Sequence, residues 1–206
     1  PLMKDASSDA TNTTQRQLVP GRSVVCLGDS LTEGINGGYP AELAKLLSVP
    51  VLNFGRNGYT TADAIKDLLP KIEQERPQVV VLELGGHDFK NGESRSETKE
   101  RLRQIISRCW SVDAEVVIVE IPRGIVQDPW GGLERELAME FDLQLIPDTT
   151  IRRFVFFGPV VPPGSWLNKE HHLSRDSLHP NKAGQIVFAR AVADTLLQVG
   201  GKSVGR

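Results

Sequence analysis

The chain has 206 residues, enough for one α/β domain with a sizeable core. Its net charge is −2, with 24% charged and 39% hydrophobic residues, so no basic excess points to nucleic acid or to an anionic membrane surface. No apolar run reaches transmembrane length, and the two cysteines, Cys26 and Cys109, read as small buried hydrophobes rather than a disulfide or a metal site.

Residues 1–20 are rich in Ser, Thr, Asp, Asn and Gln and lack apolar periodicity, so they read as a flexible lead-in. The chain opens on Pro1, which leaves room for a signal peptide or anchor upstream. A periplasmic, secreted or membrane-tethered location is expected ahead of a cytoplasmic one.

The first strand is expected at Ser23 to Leu27. It ends abruptly in Gly28-Asp29-Ser30-Leu31. Gly28 permits a sharp turn, and Ser30 then falls outside the carboxyl ends of the strands, where open α/β sheets bind ligands. A serine there can be a nucleophile if a base takes its proton; it can equally be an ordinary turn residue. Gly34, Gly37 and Gly38 suggest a loose loop, and Pro40 the first position of a helix with Leu43, Leu46 and Leu47 inward.

A short second strand spans Val49 to Phe54 and leads into a loop bearing Gly58. Thr60 or Thr61 can cap a helix whose apolar face carries Ala64, Ile65, Leu68 and Leu69. Gln78 to Leu84 reads as a central parallel strand, buried on both faces, ending in the polar turn Gly85-Gly86-His87-Asp88. A helix capped by Ser96 runs to about Trp110, and Ala114 to Ile121 forms the fourth strand. Leu133, Leu137 and Phe141 mark another helix, and Leu143 to Ile146 a fifth strand.

From Thr149 to Arg175 the pattern is irregular, with Pro159, Pro162, Pro163 and Gly164. A last helix starts at Pro180, with Ile186, Ala189, Ala193, Leu196 and Leu197 on one face. Residues 21–200 thus make one domain and 201–206 a polar tail. Alternating strands and helices imply a three-layer α/β fold around a five-stranded parallel sheet.

A serine nucleophile needs a base, and the base an orienting partner. The histidines are His87, His171, His172 and His179. Asp176 stands three residues before His179, so it can hold one imidazole nitrogen while the other faces Ser30; alone, the pair reads equally as a solvated loop. Candidate oxyanion donors are the Ser30 N–H, the Gly58 N–H and the His87 side chain. Adjacent His171 and His172 rarely converge on one ion, so no metal is expected. Trp166, 13 positions before His179, and Asp29 are candidates for substrate contact.

The Gly-Asp-Ser-Leu turn, the Gly58 loop, Gly85-Gly86-His87-Asp88 and Asp176-x-x-His179-Pro180 resemble, in order and spacing, the motifs of the SGNH (GDSL) hydrolase superfamily. Glu83-Leu84-Gly85-Gly86 and the run from Asp176 to Asn181 resemble most its bacterial thioesterase, lysophospholipase and arylesterase branch. The resemblance implies a flavodoxin-like sheet and hydrolysis of esters or thioesters of small-molecule substrates without a cofactor. It implies Ser30 as nucleophile, His179 as general base and acid, and Asp176 as its partner. The oxyanion hole would be Ser30, Gly58 and the residue at position 87. The chain departs from the family in carrying His87 where Asn is usual: an imidazole offers one N–H in the right tautomer, whereas the amide offers two. Alternatives on the same scaffold are a carbohydrate acetylesterase or a non-catalytic binding module with a modified oxyanion hole. A nucleotide-binding reading lacks the glycine-rich phosphate cradle.

Overall fold

The structure is a computed structural model that describes residues 17–124, 128–155 and 179–198. Five parallel strands form one sheet: β1 (Val24–Gly28), β2 (Val51–Gly55), β3 (Val79–Glu83), β4 (Glu115–Val119) and β5 (Gln144–Ile146), in the order β2-β1-β3-β4-β5. The order reverses between β1 and β3, the switch point at which flavodoxin-like sheets open a crevice for ligands. Gly28 of β1 pairs in register with Gly55 of β2 and Glu83 of β3, so three strands end level with one another beside that crevice.

Strand alternation divides the core into two layers. Val25, Leu27, Val80 and Leu82 face one side, and Val24, Cys26, Val79 and Val81 the other. The first layer is covered by α3 (Thr61–Asp67), α4 (Leu69–Glu75), α6 (Arg95–Trp110) and α7 (Leu133–Phe141). The second is covered by α2 (Gly38–Leu43), α8 (Asp148–Val155) and α9 (Lys182–Leu197). The result is the expected three-layer α/β fold. Cys26 and Cys109 are unbridged, and burial pushes both thiols up to about 12.

The helix expected over Thr61 to Leu69 is two helices. Leu68 ends α3, and Pro70 supplies no N–H for a continuous ladder and opens α4 instead. The expected loop around Gly37 is a 3-10 turn (Ile35–Gly37) that runs into α2, so Pro40 lies inside the helix rather than at its first position. Leu43 is buried there, but Leu46 is exposed past the helix end. Ser94, not Ser96, caps α6: its hydroxyl accepts the Glu97 N–H (3.2 Å) and donates to the Glu97 carboxylate (2.6 Å). Gly85-Gly86-His87-Asp88 is more than a turn, since Gly86–Lys90 forms a short helix, α5. The segment expected to be irregular from Thr149 begins inside α8. Pro180 precedes α9 rather than opening it; Asn181 is the cap, and Phe188, Val192 and Leu196 are buried where Leu197 is exposed.

At the front of the described chain, Gln78 accepts the Val19 N–H (2.7 Å) and donates to the Gln17 carbonyl (3.0 Å), tying this end to β3. No described helix is long and apolar enough to cross a membrane.

Candidate active site

The short helix α1 (Ser30–Glu33) begins two residues after β1 ends, and Ser30 is its first residue. Two close approaches force that turn. A Cβ at Gly28 would lie 2.0 Å from Thr32 Oγ1 and 2.6 Å from Glu83 Oε2. A Cβ at Gly55 would lie 2.1 Å from the Glu33 nitrogen, so only glycine at the end of β2 lets α1 sit on the sheet. Asn53 then locks the segment: its amide donates to the carbonyls of Thr32, Glu33 and Gly37 at 3.0–3.1 Å.

Ser30 Oγ is 2.8 Å from His179 Nε2, a hydrogen bond joining β1's turn to the residue just before Pro180 and the cap of α9. Both side chains are half-buried. This is the geometry in which an imidazole can take a hydroxyl proton. Asp176 and Trp166, like His171 and His172, lie outside the described residues. Among the described residues no cluster of three His, Cys, Asp or Glu side chains could hold a metal ion.

Gly58 is exposed in the loop after β2, with φ +81°, a left-handed conformation suited to glycine. The loop is fixed at its base, where the Arg56 N–H donates to the Gly28 carbonyl (3.1 Å) and the Asn57 N–H to Glu33 Oε2 (2.9 Å). His87 is half-buried on α5, the helix that follows β3. The three loops bearing Ser30, Gly58 and His87 thus leave the level ends of β1, β2 and β3.

Asp29, a candidate for substrate contact by sequence, faces inward instead. It is 4% exposed, and its Oδ1 accepts the Leu31 N–H (3.0 Å), capping α1. A Cβ on Gly86 would come within 3.3 Å of Asp29 Oδ2, so the carboxylate is wedged between the β1 and β3 turns. Burial pushes its pKa above the ordinary carboxylate value, an effect that the hydrogen bond from the Leu31 N–H only partly offsets.

Three buried groups support the site from below; sequence reasoning names Glu83 only as a motif residue and does not single out Arg123 or Glu134. Glu83, fully buried at the end of β3, accepts the Thr32 hydroxyl (2.8 Å) and the Asp29 N–H (3.4 Å) on Oε2. Burial first, and the Asp29 carboxylate second, hold it well above the usual carboxyl range. Arg123 and Glu134 form an ion pair in which both side chains are 1% exposed. Arg123 also donates to the carbonyls of Gly85 (3.3 Å) and Ile121 (3.2 Å), and its guanidinium lies 5.2 Å from the Trp130 ring centroid. Trp130 in turn meets Phe89 of α5 edge-on at 5.2 Å. The signal available in the sequence was a charged residue inside an apolar run, Glu83 after Val79 to Leu82; for Arg123 and Glu134 there was none.

The thioesterase 1/protease 1/lysophospholipase L1 of Escherichia coli is 27% identical over 185 residues, covering 84% of this chain and 83% of that protein. An arylesterase of Vibrio mimicus is 26% identical over 184 residues, covering 85% and 88%. The crystal structure of the psychrotrophic esterase EstA from a Pseudoalteromonas species, inhibited by monoethylphosphonate, superposes with a TM-score of 0.69. It is 20% identical, covering 85% of this chain and 96% of that one. Residues 26–186, from the middle of β1 into α9, match the GDSL-like lipase/acylhydrolase family, and the chain belongs to that family of hydrolases.

Proposed function

We propose that the protein is a serine esterase or thioesterase that works through an acyl-enzyme on Ser30. The observation that carries this reading is the 2.8 Å contact between Ser30 Oγ and His179 Nε2 at the carboxyl edge of the sheet. Ser30 Oγ attacks the carbonyl carbon while its proton passes to His179 Nε2. The carbonyl oxygen becomes an oxyanion, which accepts hydrogen bonds from the Ser30 N–H, the Gly58 N–H and one N–H of His87. Collapse breaks the bond to the alcohol or thiol, which leaves with the proton from His179. Water then attacks the acyl group, giving its proton to the same nitrogen, and Ser30 leaves with that proton as the acid is released. Asp176, three residues before His179, orients the imidazole and supports its cationic form.

The substrates proposed are acyl esters, lysophospholipids or acyl thioesters, in keeping with the names of the E. coli and Vibrio relatives. His87 serves as the third donor in place of an amide, an imidazole N–H being adequate in oxyanion holes. The test is hydrolysis of p-nitrophenyl esters from acetate to palmitate by wild type and Ser30→Ala. Loss of turnover in Ser30→Ala supports the reading, and the chain-length optimum sizes the acyl pocket. Equal turnover by both proteins rules it out.

A further inference from the structure

An oxyanion hole assembled from separate loops works only if those loops keep their spacing, because a misplacement of about 1 Å can cost about 100-fold in rate. Gly58 and His87 are on different loops, after β2 and after β3. One side chain bridges them. Asp88, the residue after His87, is fully buried. Its Oδ2 accepts the Thr61 N–H at 2.9 Å, and its Oδ1 accepts the Thr61 hydroxyl. Thr61 opens α3, three residues after Gly58. Arg101 of α6 faces the same carboxylate at 3.4 Å and is itself paired with Glu93, whose N–H donates to the Asp88 carbonyl (3.0 Å).

The bridge is not needed to cap α3. α3 has its own capping box, in which Thr60 and Asp63 satisfy each other's backbone N–H groups. What Asp88 adds is a fixed relation between the Gly58 loop and the helix bearing His87. We propose that Asp88 is a positioning residue that sets the spacing of the Gly58 and His87 oxyanion donors through its two hydrogen bonds to Thr61. The inference rests on the reading of Ser30, Gly58 and His87 given above.

The test compares wild type, Asp88→Ala, Asp88→Asn, Thr61→Val and the Asp88→Ala/Thr61→Val pair, with active sites titrated by an organophosphonate. Loosening the hole weakens the transition state more than the ground state. Asp88→Ala is expected to lower kcat per titrated site by about 10- to 100-fold, with KM within about 3-fold. Affinity for an alkyl boronic acid, which becomes tetrahedral on Ser30, falls in step. Asp88→Asn keeps one oxygen acceptor and loses less. Adding Thr61→Val to Asp88→Ala costs nothing further, because the two act as one unit. If the Asp88 variants merely lose titratable sites and thermal stability while kcat per site and boronate affinity stay at wild-type values, the proposal is overturned. Should Asp88→Ala fail to fold, Asp88→Asn and Thr61→Val carry the same comparison. Ser30→Ala is the control. Full activity there overturns the site reading together with this inference. Inactive Ser30→Ala beside unaltered Asp88 variants overturns this inference alone.

Discussion

Ser30 and His179 are 149 positions apart in the chain, yet Oγ and Nε2 meet at 2.8 Å. The turn after β1 presents the hydroxyl, and the segment leading to the Asn181 cap of α9 presents the imidazole. Removing either side chain is expected to lower kcat by roughly 10⁶-fold, with little further loss when both are removed. Steady-state kinetics on an aryl ester by Ser30→Ala, His179→Ala and the double variant check this. Additive losses would mean that the two do not act as a unit.

Position 87 tests what an oxyanion donor requires. His87→Ala removes the proposed donor and is expected to reduce kcat by about 100- to 1000-fold with KM little changed. His87→Asn restores N–H donors of similar reach and is expected to retain turnover within about tenfold of wild type. An unchanged kcat in His87→Ala would remove this residue from the hole.

Glu83 makes stability depend on pH. Its carboxyl is raised in the folded protein above its ordinary value of 4.5 by burial and by Asp29. A group raised on folding contributes stability that is present below the unfolded value and is lost as pH rises through the folded one. Thermal stability is therefore expected to decline as pH rises above the ordinary value of 4.5 toward the raised folded one, where this site is forced to ionise. Glu83→Gln keeps an oxygen acceptor for Thr32 and Asp29 and cannot ionise, so its melting temperature should vary less over that range. Parallel pH slopes for the two proteins would show that Glu83 is not the titrating group.

The close approach of α1 to the sheet fixes the cost of filling it. Gly55→Ala places a methyl against the Glu33 backbone, at 2.1 Å before relaxation. It is expected to destabilise by about 1–3 kcal/mol or more and to displace Ser30, so that urea midpoint and kcat fall together. Gly58→Ala meets no atom within 4 Å and carries only the strain of φ +81°, so its stability loss should be smaller.

Glu134 neutralises Arg123 beneath the Gly85 turn. Glu134→Ala leaves a buried guanidinium whose remaining carboxylate partner among the described residues is Asp128, at 3.8 Å, and is expected to cost about 3–5 kcal/mol. Replacing the pair together, with Arg123→Met and Glu134→Leu, should recover most of that loss. Chemical denaturation of the three variants measures both effects.

The sheet and the Ser30 turn were legible in the sequence because each strand is a short apolar run closed by turn residues. The order of Gly28-Asp29-Ser30, Gly58, Gly85-Gly86-His87 and His179 then matched a known pattern. What was missed depends on tertiary partners. Asp88 was visible only as a motif residue, since nothing local shows that it reaches Thr61, 27 positions away. Asp29 looked available to substrate because turn acids usually face solvent, whereas this one caps α1 from inside. The cap of α6 is legible as Ser-x-x-Glu at Ser94, two residues ahead of the expected Ser96. α8 is not legible because its eight residues run into a proline-rich stretch that masks their period.

The most direct measurement is covalent labelling with a fluorophosphonate followed by peptide mapping. One adduct per chain on the peptide carrying Ser30, formed quickly in wild type and absent in Ser30→Ala, is the expected result. Slow labelling in His179→Ala would tie the hydroxyl's reactivity to the imidazole 2.8 Å away. A folded protein that takes up no label, or takes it up on another residue at the same rate in Ser30→Ala, would contradict the assignment of Ser30 as nucleophile.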